Sequence, residues 1–495
     1  MSSASEAEII AFLRARAPRQ IDTACAHVFL ADDSAWKIKR HVDLGYADFS
    51  TAARRLWALE RELEFNRTAA PDIYRAVRPI TREADGGLAL EGSGAPVEYV
   101  LEMRRFDERE VLSAKPAAVN GELAEALGRT IAGFHAAAPL RPEGGLSAIA
   151  FTIRSNAQLL RETCPDLDPA RVEHLIALTD AELERQRPLL AQRTAQGFAR
   201  RCHGDLHLGN ILMEDGRPVL FDCIEFNDLL SDIDVLYDVA FLLMDLDFRG
   251  RRDAAVRVLS AYMDEAARTF GDAVWDGLAS LPLMLAVRAG VRAHVEAHSR
   301  RSDTARAYVE AGIAHLAPQP VSLLAVGGLS GSGKSTFARA AGPALGASPG
   351  AVVLRTDEIR KRILGVGPTQ SVSRDAYTPE FYVQTYDTLF ANAEALLRSG
   401  RSVVLDATFT SPQMRARAEA LAGRCGVPFD GVWLEAPLAV LEGRVAARTG
   451  DASDATVEVL REQAQALDPA IAWTRVDTTG SAEAAARRWS AERPV

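Results

Sequence analysis

Apolar and polar positions follow two rhythms along the chain. Residues 6–16 repeat apolar positions at helical spacing. Residues 26–30 and 35–40 alternate instead, around the acidic pair Asp32-Asp33, which predicts a β-hairpin. A long helix is predicted over 51–66, with Leu56, Leu59, Leu63 and Phe65 on its apolar side. Strands are predicted at 74–80, 88–90 and 97–103. From 123 to about 193 the pattern is helical, interrupted at 139–145 and 165–169. A polar stretch at 203–213 leads into a turn and an apolar strand ending at Asp222, and 238–248, 254–297 and 306–317 are helical again. After a proline-containing linker at 317–320 the rhythm changes. Short apolar runs at 321–326, 351–355, 402–406 and 431–435 alternate with helical stretches at 337 onward, 382–398, 412–424 and 438–448. Such runs spaced by helices predict a parallel sheet with helical crossovers. The chain therefore divides into residues 1–317, an α+β region with a small β portion and a large helical portion, and residues 318–495, an α/β region.

The chemistry is densest where the second rhythm begins. Gly328 to Ser335 fits G-x-x-x-x-G-K-[ST], preceded by a strand and followed by a helix. Glycines let the backbone turn so that N–H groups point at phosphate oxygens, and the next helix adds its N-terminal dipole. Gly328, Ser330, Gly331, Ser332, Gly333, Lys334, Ser335 and Thr336 are the candidate ATP contacts, with Lys334 on the β- and γ-phosphates and Ser335 on Mg²⁺. A Gly/Ser linker has no need of a Lys-Ser-Thr run between a strand and a helix. Asp406 closes a later strand, where a carboxylate can hold Mg²⁺ through water. Asp357 follows the second strand as a candidate base, with Arg360 one turn on. Arg444 and Arg448 lie i,i+4 as candidate phosphate-closing arginines. With D-x-x-R after the second strand, this region resembles the small P-loop kinases of the gluconate kinase, chloramphenicol phosphotransferase, zeta-toxin and polynucleotide kinase type.

A second constellation lies upstream. His203-Gly-Asp-Leu-His-Leu-Gly-Asn210 precedes the strand ending at Asp222. A carboxylate, an amide five positions later and a second carboxylate at a strand end form the set that phosphoryl transfer uses. H-G-D-x-H-x-G-N followed by such a strand resembles the aminoglycoside phosphotransferase/choline kinase branch of the protein-kinase-like fold. The resemblance implies Asp205 as catalytic base and Asn210 and Asp222 as Mg²⁺ ligands. It also implies His203 as a brace of the loop, with His207 and Glu225 as further bracing candidates. That fold needs a strand lysine and a helix glutamate. Lys37 and Lys39 share one strand face, with Lys39 preferred and Lys37 in reserve, and Glu62 is the partner ahead of Glu60 and Glu64. Glu102 and Met103 fall at the hinge where backbone groups meet adenine. No G-x-G-x-x-G precedes the lysine strand. His135 reads as a packed core histidine. The whole chain resembles bacterial fusions of an aminoglycoside phosphotransferase-like domain with an AAA-family ATPase domain.

Composition narrows the alternatives. Apolar residues make up 48%, enough for more than one core. The five cysteines are scattered without a C-x-x-C pair, which argues against a disulfide framework or a zinc site. Residues 320–495 carry as many basic as acidic side chains, so the net charge of −10 belongs to residues 1–319. Neither part has the basic excess of a general nucleic-acid binder. Only five of the 57 basic residues are lysine, and three of these are Lys37, Lys39 and Lys334. With no signal-peptide pattern and no long apolar run, the expectation is a cytoplasmic protein without a membrane partner. The expected function is ATP- and Mg²⁺-dependent transfer of phosphate to hydroxyls of small molecules at two sites. One alternative makes one domain catalytic and the other an ATP-binding regulatory module. Another makes the C-terminal region a polynucleotide 5′-hydroxyl kinase.

Overall fold

The computed structural model describes residues 5–23, 25–43, 47–372, 378–447 and 453–493. The chain forms two compact units. Unit 1 comprises Met1–Ala118, Ala138–Thr152 and Gly197–Asp238, and unit 2 comprises Val119–Ala137, Ile153–Gln196 and Val239–Val495.

Unit 1 is built on a six-stranded antiparallel sheet of β1 (Arg19–Asp22), β2 (Ala26–Leu30), β3 (Ser34–Lys39), β4 (Tyr74–Arg82), β5 (Leu88–Leu90) and β6 (Ala95–Arg104), in the order β1-β2-β3-β6-β4-β5. Helix α1 (Glu6–Arg14), capped by Ser5, buries Ile9 and Leu13 with Phe29, Ile38, Ile80 and Val100. Period-two alternation sends Trp36 and Ile38 toward this core and turns Lys37 and Lys39 the other way. That second face carries α2 (Ala52–Ala69), tied to β6 by the buried pair Arg55–Glu98 at 2.6 Å. The remainder of unit 1 holds two short ladders, β7 (Ala199–Arg201) with β10 (Asp232–Asp234) and β8 (Ile211–Glu214) with β9 (Arg217–Leu220), and the short helix α6 (Asp228–Ser231). β1, β7 and β10 are too short and too polar to register as apolar runs, so the pattern does not predict them.

Unit 2 contains two kinds of structure. Its helices are α3 (Gly121–Ala137), the later part of α4 (Leu146–Thr163), α5 (Pro169–Ala195), most of α7 (Val235–Phe248), α8 (Arg252–Phe270), α9 (Ala273–Asp276), α10 (Leu281–His298) and α11 (Ser302–Leu316). The single helical run expected over 254–297 is broken, because Gly271 takes φ 66° at the end of α8. α3 lies close on α8, where a Cβ on Gly128 would stand 2.5 Å from the Val258 carbonyl oxygen. His135 is fully buried and hydrogen-bonds the Tyr262 hydroxyl at 2.9 Å. The segment Ala273–His298 is long and apolar enough to cross a membrane, yet 78% of its apolar window is buried in protein.

The α/β portion is a five-stranded parallel sheet, ordered β12-β13-β11-β14-β15, of β11 (Leu323–Gly328), β12 (Val352–Arg355), β13 (Val403–Asp406), β14 (Phe429–Glu435) and β15 (Thr474–Asp477). It is flanked by α12 (Lys334–Ala341), α13 (Thr356–Ile363), α14 (Pro379–Arg398), α15 (Pro412–Cys425), α16 (Leu438–Ala446), α17 (Val457–Ala466) and α18 (Ala482–Ala491). Every residue of β11 is buried, as a central parallel strand requires. β15, α17 and α18 extend the pattern beyond what the apolar runs predict.

This sheet packs directly on α8. Val256 of α8 belongs to the same core cluster as Leu324, Val326, Phe337 and Val353. The Val353 N–H donates to Ser260 Oγ at 3.1 Å, and Arg252 donates to the carbonyls of Pro349 and Gly346 at 2.7 and 2.9 Å. Arg362 pairs with Asp264, and Arg268 donates to the Val366 carbonyl at 2.8 Å. Residues 318–495 expressed alone would bare the Val256 contact and leave Arg362 without its carboxylate. Such a fragment is expected to melt below the intact chain and to associate in size-exclusion chromatography. Adding 252–270 back to it should raise the melting temperature. A monomeric fragment with the intact chain's melting temperature would contradict this packing argument.

Candidate active sites

In unit 1 the two strand lysines converge on one glutamate. Lys37 Nζ donates to Glu62 Oε1 at 2.6 Å and to Asp222 Oδ1 at 2.8 Å. Lys39 Nζ donates to Glu62 Oε2 at 2.7 Å and to Glu225 Oε1 at 2.5 Å. Both lysines stay charged. Burial alone would lower them, but Asp222 and Glu62 outweigh it at Lys37, and Glu225 and Glu62 outweigh it at Lys39. The sequence prefers Lys39 for phosphate, but the geometry gives Lys37, not Lys39, a place on the cavity wall. Lys37 lines a cavity of about 150 Å³ together with Asp222, Val28, Leu30, Tyr74 and Met103. Lys39 is 3% exposed and lies behind, against Glu225. Strand alternation puts both on one face but is silent on which of them lies level with the cavity.

Asp222 sits at φ 64°, in the left-handed region that non-glycine residues seldom adopt. Its N–H donates to the Tyr74 hydroxyl at 3.0 Å, and the next N–H, of Cys223, donates to Asn66 Oδ1 at 2.8 Å. Burial would raise the Asp222 carboxyl, but Lys37 holds it below its ordinary value, so it is ionised. Neither Tyr74 nor Asn66 carries a sequence signal, since each acts through backbone contacts set by the fold.

The loop after β7 is held from several directions. The His203 and Gly204 N–H groups donate to the Asp238 carboxylate at 3.0 and 2.9 Å. His203 Nε2 donates to the Phe221 carbonyl at 2.9 Å, and its Nδ1 accepts from the Asp205 N–H at 3.3 Å. Burial lowers the His203 pKa, so the ring is neutral, as one donor and one acceptor nitrogen require. The Asn210 amide nitrogen donates at 2.9 Å to both the carbonyl oxygen and Oδ2 of Asp205. That leaves the Asn210 amide oxygen as its remaining acceptor. His207 Nδ1 accepts from the Gly209 N–H at 2.9 Å, and its Nε2 lies 3.4 Å from Asp205 Oδ2. One expected role changes. Glu225 does not brace this loop through its side chain, which is taken by Lys39, while its carbonyl accepts from Arg61 at 2.9 Å. At the hinge, Met103 lines the cavity, and the Glu102 side chain pairs with Arg75 and Arg78, away from the backbone role expected of it. Asn210 and Asp222 offer an amide oxygen and an ionised carboxylate, the hard oxygen donors that suit Mg²⁺.

Lys39→Met would strand Glu225 and half of Glu62 in a buried site. Removing one partner of a buried pair costs about 3–5 kcal/mol. Lys39→Met is therefore expected to lower stability by about that amount in urea unfolding, and Lys37→Met by less, because Asp222 is 44% exposed at its side chain. Equal losses would contradict the placement of Lys39 as the buried member.

In unit 2 the phosphate loop runs from β11 to α12. Gly331 and Gly333 take φ 81° and 85°, and a Cβ on either would stand 2.6 Å from the Leu441 carbonyl oxygen or 2.7 Å from Ala482 Cβ. Only glycine fits this cradle. Ser332 Oγ is buried with no hydrogen-bond partner, and Lys334 Nζ donates to the Leu329 carbonyl at 2.9 Å. The loop is tied from outside by Gln463, which accepts from the Ser330 N–H at 3.0 Å, and by Thr478, which donates to the Ser332 carbonyl at 2.9 Å. The structure brings Asp357 and Arg360 together at 2.7 Å. Burial would raise the Asp357 carboxyl, but Arg360, Arg355 and Lys334 hold it below the ordinary value.

Arg444 Nη1 reaches the Gly331 carbonyl of the phosphate loop at 3.5 Å. Its Nη2 donates to the carbonyls of Thr478, Thr479 and Gly480 at 2.8, 3.1 and 2.7 Å, which makes it a brace between segments. Arg448 lies outside the described residues. The two expected metal ligands, Ser335 and Asp406, share one partner. Arg355 is 4% exposed, and it donates to Ser335 Oγ at 3.1 Å, to Asp406 Oδ2 at 3.1 Å and to Glu358 Oε1 at 2.9 Å. A guanidinium thus stands between a hydroxyl and a carboxylate that suit a hard cation, so the donor set fits Mg²⁺.

Comparison with known proteins bears on both regions of the chain. The model of the phosphotransferase enzyme family matches residues 47–278, and that of an AAA domain matches residues 323–470. Uncharacterized proteins of Mycobacterium tuberculosis (strain ATCC 25618 / H37Rv) and Mycobacterium bovis (strain ATCC BAA-935 / AF2122/97) are 32% identical to the chain over 483 residues, covering 93% of it and 92% of each relative. Among solved structures, an ethanolamine kinase of Plasmodium vivax is 10% identical, with 60% of this chain and 80% of that one covered and a TM-score of 0.38. A gluconokinase from Sinorhizobium meliloti 1021 is 24% identical, with 35% and 90% covered and a TM-score of 0.24. The full-length relatives and the two family models together decide the matter: the chain belongs to the family that joins an aminoglycoside phosphotransferase-like domain to a P-loop kinase-like AAA domain, and it is a phosphotransferase.

Proposed function

We propose that the chain transfers the γ-phosphate of ATP to hydroxyl groups of small molecules at two sites, one in each unit. The observation that carries this reading is Lys37, held between Glu62 and Asp222 on the wall of a largely apolar cavity. An apolar slot with a few fixed charged groups suits a purine nucleotide. In unit 1, Asp205 takes the acceptor's hydroxyl proton. The acceptor oxygen forms its bond to the γ-phosphorus as the bond from that phosphorus to the β,γ-bridging oxygen breaks, and ADP leaves. Lys37 steadies the α- and β-phosphates, and Asn210 and Asp222 would hold Mg²⁺. When bound, Mg²⁺ neutralises charge on the phosphates. In unit 2, Lys334 and the loop N–H groups hold the phosphates, Ser335 and Asp406 would hold Mg²⁺, and Asp357, kept ionised, accepts the proton. Arg360 orients Asp357.

Each unit keeps a base candidate as well as nucleotide contacts, which a purely regulatory module could dispense with. The balanced charge of residues 320–495 disfavours a nucleic-acid acceptor. A cytoplasmic location follows from the need for ATP. The test is ADP release by the full chain across a library of hydroxylated metabolites, with hits sorted by Asp205→Asn and Lys334→Ala. Two classes of acceptor, each lost in one variant, are expected. Hits that survive both variants at the wild-type rate would refute the two-site reading.

A further inference from the structure

Among the described residues of the P-loop site, Arg355 lies outside the phosphate-loop motif yet reaches into its donor set. It leaves the end of β12, and its three guanidinium nitrogens reach Asp406, Glu358 and Ser335 at 2.9–3.1 Å. Two of those partners are the oxygen donors that a divalent cation would use there. Its seat is also rigid. Glu358 shares α13 with Arg362, which pairs with Asp264 of α8, and the N–H of Val353, two residues before Arg355, is held by Ser260 of the same helix. A guanidinium keeps its charge throughout the physiological pH range, so it cannot vacate the seat by losing a proton. A divalent cation and this guanidinium compete for Ser335 and Asp406, because both would sit against the same hydroxyl and carboxylate at short range and their charges repel.

We infer that Arg355 is the resident cation of the P-loop site: it neutralises Asp406 and occupies Ser335 in the nucleotide-free protein, and so excludes free divalent cation until a nucleotide enters. A triphosphate brings the anionic oxygens that a guanidinium pairs with best, and it therefore compensates Arg355 for the contacts given up. The inference rests on the P-loop site being a nucleotide site. It makes Arg355 a positioning residue that sets the order of binding, with metal arriving as its nucleotide complex.

The test is Mn²⁺ uptake by the full chain, read from loss of the free-ion EPR signal. An Asn210→Ala/Asp222→Ala background removes the two candidate oxygen donors of unit 1. Folding of each variant is checked by circular dichroism. Without nucleotide, Arg355→Met is expected to bind Mn²⁺ at least about tenfold more tightly than its parent, a difference of 1.4 kcal/mol. Adding Asp406→Asn should cancel the gain. Arg355→Lys keeps the charge on a stem that cannot serve three oxygens at once, so it should fall between the two. If Arg355→Met and Arg355→Lys bind Mn²⁺ no more tightly than the parent, or if the gain survives Asp406→Asn, the inference is overturned. A parent that fails to take up Mn²⁺ on addition of ADP would instead count against the nucleotide reading of the site, because the nucleotide-free comparison does not involve ADP.

Discussion

Asp205→Asn should slow phosphate transfer in unit 1 by about 10²–10⁴-fold, the usual worth of a positioned general base. The substitution keeps size and shape. The Asn210 amide still has the backbone carbonyl of residue 205 to donate to, and Asp238 still holds the N–H groups of residues 203 and 204. What disappears is the proton acceptor. The loss should therefore fall on kcat, with the KM for nucleotide little changed, because Lys37, Asp222 and the cavity are untouched. Acceptor-dependent ADP release measures both constants. A wild-type kcat in this variant would remove Asp205 from the mechanism. A large rise in nucleotide KM would show that the loop had moved.

Lys334→Ala should cost the P-loop activity about 10²–10³-fold in kcat/KM, as loss of one well-placed donor to transferring phosphate does. The cradle itself should survive, since Gly331 and Gly333 set its shape and Thr478 and Gln463 hold it from outside. The variant is therefore expected to unfold as the wild type does without nucleotide, while ADP raises its melting temperature less. An undiminished ADP-induced shift would show that Lys334 is not on the phosphates. The pH dependence of this activity has a defined sign. Asp357 has its pKa depressed in the folded protein, so its ionised form persists on acidification through the ordinary carboxylate range, while the stability that goes with it is full above that range and is lost progressively as the pH falls through it to the lowered value.

Much of the catalytic set was legible before folding was considered, and the reason is local. A phosphate loop must place glycines, a lysine and a hydroxyl residue at set intervals because one short backbone turn forms the whole cradle. Asp205 and Asn210 share one loop for a similar reason. Helix α2 was legible through its apolar side, and the parallel sheet through its uninterrupted apolar strands. Residues acting across the fold were not. Lys37 and Lys39 look equivalent in a strand, and only the position of the cavity along β3 distinguishes them. Glu225 and Arg444 occupy suggestive positions, but one lies against Lys39, and the other ties the phosphate loop at Gly331 to the carbonyls of residues 478–480. No spacing links Arg355 to Ser335 and Asp406, because parallel pairing of β12 with β13 is what aligns the two strand ends.

The sequence by itself determined that there are two candidate phosphate-handling constellations, their order, and the residue types in them, since each depends on contacts within a few residues. The tertiary structure decided the rest. Packing on α8 made the α/β sheet part of a unit that begins well before the linker at 317–320. Burial and pairing chose Lys37 for the cavity and Lys39 for the core. A guanidinium from β12 was set between the two oxygen donors of the P-loop site. These outcomes depend on distances between segments far apart in the chain, which periodicity and spacing do not encode.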